Sequence, residues 1–152
     1  MTQSSNIRWL NKHTARVSDQ LLEAYCQTYY QLSIAGQTIE LQVGKPCADL
    51  ERLFGHAFGA VITAVNPLSQ ALSDDENERR QQQLQQALTA YAQCWPAAAV
   101  DPQQQWPTEQ GFFVLDIKAD ELLGLAQLYQ QHAVVAWQSG EPAQLWVLSQ
   151  PE

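Results

Sequence analysis

The residues best suited to chemistry lie in one stretch and one outlier. Ile62–Arg80 reads ITAVNPLSQALSDDENERR and holds Thr63, Asn66, Asn77 and Arg80. Glu109 stands further on, in Trp106-Pro107-Thr108-Glu109, just ahead of an apolar run. A guanidinium grips a carboxylate or phosphate, carboxamides orient it, and a carboxylate holds the guanidinium in place or moves a proton. Together the five residues describe a pocket for a small anionic ligand. Glu and Arg suffice for some proton transfers, but no activated nucleophile is visible, so the sequence names no reaction.

Periodicity carries the case for a pocket. Leu84, Ala87, Leu88 and Tyr91 form the apolar stripe of a long helix. Steps of three and four residues backward along that stripe land on Arg80 and Asn77, polar residues where apolar ones are expected. A guanidinium turned inward without a partner is very costly, and Glu109 is the acid expected to meet it. Asn66-Pro67 falls where a central strand ends and that helix begins, a frequent location for ligands, and Thr63 lies three residues upstream of Asn66. A plainer reading of the same residues stands beside this one. Asn66-Pro67 is then a turn, Ser73 a cap, and Arg80 a side chain that snorkels along the surface or pairs with a local acid.

The elements that must position these residues can be traced along the chain. Residues 1–17 are polar apart from Trp9-Leu10 and Val17 and suggest an irregular arm, followed by one α+β domain over 18–150. Ser18-Asp19 suits the cap of a short helix bearing Leu21, Leu22 and Tyr25. Tyr30, Leu32 and Ile34, then Ile39, Leu41 and Val43, alternate with polar residues around Ala35-Gly36, as a half-buried β-hairpin does. Helical spacing returns over about 47–57, and Phe58–Val65 is apolar on both faces like a central strand. Ser73-Asp74-Asp75-Glu76 matches a capping box and opens the helix over about 74–93. A short strand over Trp95–Val100, a Gln- and Pro-rich loop to Glu109, a strand over Gly111–Ile117 and a helix over about 119–130 follow. His132–Trp137 and Ala143–Leu148 make a terminal hairpin. The order predicts a single-domain, mixed and largely antiparallel sheet with helices packed on it.

Bulk properties exclude several classes. A formal net charge of −8 over 152 residues, with no basic patch, disfavours nucleic acid and anionic membrane surfaces. No apolar run is long enough to span a bilayer and the N-terminus has no signal-peptide core. Cys26, Cys47 and Cys94 are widely spaced and read as reduced thiols of a cytoplasmic protein. His13, His56 and His132 lack ligand spacing, so neither a metal nor a cofactor is expected. No nucleophile elbow, Walker loop or dinucleotide fingerprint is present.

Three blocks together resemble a known family. Ile62-Thr63-Ala64-x-Asn66-Pro67 with Ser73, Asn77, Arg80, Leu84 and Leu88 is the first. Trp106-x-x-Glu109-x-x-Phe113 is the second, and Ala126-x-x-x-x-Gln131-x-Ala133-Val134 the third. In this order, across about 58–137, they resemble the bacterial domain of unknown function DUF3293. The resemblance implies a small bacterial cytosolic protein and brings no established reaction, substrate or cofactor. The family often carries a His-Thr pair before the acid of the second block, where this chain has Pro107-Thr108, and an Asn after Gln131, where it has His132.

A second class of function competes with the pocket. The outward hairpin faces and the five tryptophans, notably Trp137 and Trp146, could serve a protein partner or a homodimer edge without any chemistry. Core packing is the alternative role for those tryptophans.

Overall fold

The computed structural model describes residues 4–152. Two short strands open it, β1 (Ile7–Trp9) and β2 (Arg16–Val17). Helix α1 (Asp19–Gln27) starts where the Ser18 hydroxyl accepts from the Leu21 amide. The hairpin of β3 (Tyr29–Ile34) and β4 (Gln37–Leu41) turns at Ala35 and Gly36, both at positive φ, which matches the twist of the paired strands. Next come α2 (Ala48–Phe54), β5 (Phe58–Ile62) and α3 (Asp74–Thr89). The Ser73 hydroxyl accepts from the Glu76 amide and donates to its carboxylate, so Ser73 caps the start of α3 as expected, with the Glu76 side chain meeting the hydroxyl of the cap. The remainder is β6 (Gln93–Val100), β7 (Glu109–Leu115), α4 (Ala119–Leu128), β8 (Ala133–Gln138), β9 (Gln144–Val147) and β10 (Gln150–Pro151).

The fold is α+β, a large and mostly antiparallel curled sheet with four helices among the described residues. Strand order is β1-β9-β8-β5-β7-β6-β3-β4, and every pair is antiparallel except β1 with β9. The sheet curls until the chain after β4 reaches the start of β9. There Val43 bridges Ala143, and the Gly44 amide donates to the Ala143 carbonyl at 2.8 Å. The concave face carries Leu32, Leu41, Val61, Phe113, Val135 and Trp137, packed with Leu22 of α1 and Leu50 of α2. The convex face carries Ile62, Phe112, Val114, Val134 and Trp146 under Leu84 and Leu88 of α3 and Leu122 of α4. Leu84 and Leu88 are fully buried, and truncating either to Ala costs about 3 kcal/mol of stability.

Several sequence expectations shift. The stretch read as an irregular arm supplies β1, which pairs in parallel with β9, and β2, which pairs with β10. Strands of three and two residues are too short to show a period. α3 ends at Thr89, so Tyr91 lies beyond it and is 52 % exposed instead of closing the apolar stripe. Trp137 and Trp146 are both buried, so neither supplies the aromatic partner surface considered from sequence. Cys47 is buried, and Cys26 and Cys94 are half-buried free thiols.

Candidate functional site

β5 stops at Ile62, but the chain stays inside the molecule. Ala64 is fully buried and Val65 nearly so. A buried loop must find partners for its backbone polar groups, and here polar side chains supply them. The Ala64 amide donates to Gln81 Oε1 at 2.8 Å, and the Ala64 carbonyl accepts from Arg80 Nε at 2.6 Å. The Val65 amide donates to Thr63 Oγ1 at 3.2 Å, and its carbonyl accepts from Gln131 Nε2 at 3.2 Å. The Asn66 amide donates to Asn77 Oδ1 at 2.9 Å. Two turns of α3 and the segment after α4 thus hold one short loop.

That loop is strained. Asn66, Leu68 and Ser69 all sit at positive φ. Asn tolerates this region better than most residues, whereas Leu does not. Asn66 Oδ1 accepts from the Leu72 amide at 3.1 Å and from Asn77 Nδ2 at 2.9 Å, and the Leu68 amide donates to the Gln130 carbonyl at 2.7 Å. Strain of this kind persists only where the surroundings over-determine it, and it concentrates at ligand sites.

The loop forms one rim of a cavity of about 320 Å³ on the concave side of the sheet, roofed by α1. Small residues on three strands leave the space: Ala97 and Ala99 on β6, Gly111 on β7 and Ala133 on β8. Tyr25 of α1, Tyr30 of β3 and the half-exposed Trp106 add aromatic walls. The mouth of a curled sheet is a common ligand location, and the volume suits a small organic molecule.

Polar groups gather at the loop end of the cavity. Glu109 Oε2 accepts from Asn66 Nδ2 at 3.0 Å, while its other oxygen has no hydrogen-bond partner among the described residues. Burial pushes the Glu109 carboxyl above its ordinary range, against the hydrogen bond from Asn66. Burial raises the Tyr25 phenol to about 12; the Ser69 hydroxyl pulls it down, and the nearby Glu109 carboxylate raises it further. The Tyr30 hydroxyl donates to the Tyr25 carbonyl at 3.1 Å. No Lys, Arg or His lines the cavity among the described residues.

The sequence-predicted residues therefore divide. Thr63, Asn66 and Glu109 line the cavity. Asn77 and Arg80 do not line it but stand behind the loop and hold it. The expected Arg80–Glu109 pair does not form. Arg80 donates instead to the carbonyls of Ala64 and Tyr129 and lies 5.5 Å from the Tyr129 ring centroid. Backbone carbonyls satisfy a guanidinium as an acid would, but they leave no mark in the sequence. Tyr25, Ser69 and Trp106 were not singled out as site residues. Trp106 next to Glu109 was the available signal.

Residues 62–134 match the family model of DUF3293, described as a protein of unknown function. The match bears out the resemblance read from the three blocks. Neither the curated proteins nor the solved structures contain a match. Residues quoted for the resemblance (Thr63, Asn66, Asn77, Arg80 and Gln131) hydrogen-bond within the loop or hold it from α3 and the segment after α4, and Asn66 ties it to Glu109. Among the described residues no group of three or more His, Cys, Asp and Glu could hold a metal ion, and no helix is long and apolar enough to cross a membrane.

Proposed function

We propose that the protein binds a small molecule in the cavity between α1 and the concave face of the sheet. One observation carries this reading. A strained loop, held by side chains from two other segments, delivers Asn66 and Ser69 to the rim of a space floored by alanines and glycine. Thr63, Asn66 and Glu109 are the contact residues in this reading, and Asn77 and Arg80 are positioning residues. An anionic metabolite, the ligand that Arg80 suggested, has weaker support, because the guanidinium is engaged behind the loop and the ionisable groups lining the cavity are acids and phenols.

The test is a fragment screen observed by amide NMR on the intact chain. Binding fragments should shift the amides of Ser69, Gln110, Gly111 and Gln131 together. Ala99→Leu places a larger side chain in the cavity and should abolish those shifts while leaving the unfolding midpoint unchanged or raised. Fragments that bind elsewhere, or that bind Ala99→Leu equally well, would refute the reading.

A further inference from the structure

Glu109 is an acid in an otherwise mostly apolar, aromatic-walled space. One of its oxygens is committed to Asn66, and the other is not used by the protein among the described residues. Asp101, the second acid lining the cavity, is spent on its own turn, accepting from the amides of Gln103, Gln105 and Trp106 at 2.9, 2.8 and 3.1 Å. That turn sets Trp106 at the rim. Tyr25 and Tyr30 are the remaining titratable groups of the lining, and both phenols stay neutral near physiological pH. A partly desolvated carboxylate beside π-faces is the arrangement that selects a cation over an anion or a neutral group. The field of the whole chain, with a formal charge of −8, draws cations in and repels anions.

We infer that the cavity takes a small organic ammonium ligand, its cationic head received by Glu109 and flanked by the rings of Tyr25, Tyr30 and Trp106, its apolar body lying against Ala97, Ala99 and Ala133. This rests on the reading that the cavity binds a small molecule, and it adds the charge of the head group. The carboxylate binds the head by charge-assisted hydrogen bonding. Arg80 and Asn77 contribute only by holding the loop that positions Asn66 against Glu109.

Three probes share one apolar body and differ in the head: 2-phenylethylamine, 2-phenylethanol and 3-phenylpropanoate. Each is titrated into the full chain at mildly alkaline pH and followed by amide shifts at Ser69, Gln110 and Gly111. The amine should bind about tenfold tighter than the alcohol, and the carboxylate should bind weakest. In Glu109→Gln, which keeps an acceptor for Asn66, the amine should fall to the alcohol's affinity while the alcohol keeps its own. Trp106→Ala should weaken the amine about threefold or more. Alcohol or carboxylate binding as tightly as the amine, or an amine indifferent to Glu109→Gln, would overturn the head-group inference and leave the cavity reading in place. If none of the three moves those amides, both fall. The comparison among probes is made on the unaltered protein, so it holds even if a variant misfolds.

Discussion

Arg80→Ala tests what the first block of the family pattern is for. The substitution removes the Arg80 donor from two carbonyls, that of the fully buried Ala64 and that of Tyr129, which is 8 % exposed and keeps a second donor in Gln131 Nε2 at 3.1 Å. A hydrogen bond from a charged donor contributes about 1.5–3 kcal/mol. Arg80 itself is only half-buried, so water recovers part of the loss and the lower figure applies to each bond. The two bonds then amount to about 3 kcal/mol, and the contact with the Tyr129 ring adds about 0.5 kcal/mol. In a domain of this length, about 3.5 kcal/mol lowers the melting temperature by about 10 °C. Urea unfolding near neutral pH measures the loss directly, with an unchanged m-value confirming two-state behaviour. Arg80→Lys, able to reach only one of the two carbonyls, should retain about half of the stabilisation. A loss below about 1 kcal/mol in Arg80→Ala would refute the positioning role, since surface substitutions cost little. Stabilisation of the wild type by phosphate or small carboxylates that vanishes in Arg80→Lys would refute it from the other side, because only a guanidinium open to ligand behaves so.

Three further outcomes follow from the same geometry. Burial raises the Glu109 carboxyl, so the unfolded chain releases that proton at a lower pH than the folded one; its contribution is present at acid pH and is lost as pH rises through the folded value. Glu109→Gln should therefore be more stable than wild type near neutral pH, by about 1 kcal/mol, with the gap closing on acidification in urea titrations at several pH values. Burial lowers the His132 imidazole, whose Nδ1 lies 2.6 Å from the buried Ser149 Oγ, with His13 nearby adding to the effect; stability should fall as pH drops below the ordinary histidine value of 6.5, and His132→Asn should flatten that part of the profile. Gly59→Ala places a Cβ 2.3 Å from Phe113 Cζ in the core, and should destabilise by about 2 kcal/mol in thermal unfolding as the ring is displaced.

Much of the fold was legible because it is local. The Ser73 cap of α3, the Ala35-Gly36 hairpin and the two central strands follow from patterns within a few residues of one another. β1 and β2 were not legible, since they pair with β9 and β10 at the far end of the chain and carry no period of their own. At the site, periodicity correctly turned Arg80 and Asn77 inward. It could not say what they meet, because their main partners are backbone groups of Ala64, Asn66 and Tyr129, which any residue could supply. Asn66 and Glu109 meet at one loop, but their neighbour Tyr25 comes from a helix whose position over the cavity is decided by tertiary packing alone. Thr63, Asn77, Arg80 and Gln131 are polar in a place that otherwise reads as core because each satisfies backbone of a loop that has left the sheet without reaching solvent.

The most direct measurement is the titration of the unaltered chain with 2-phenylethylamine, followed by amide NMR. The account predicts saturable shifts centred on Ser69, Gln110, Gly111 and Gln131, around the open side of the curled sheet. Saturable shifts confined to another face, or none at these amides up to the solubility of the probe, would contradict it.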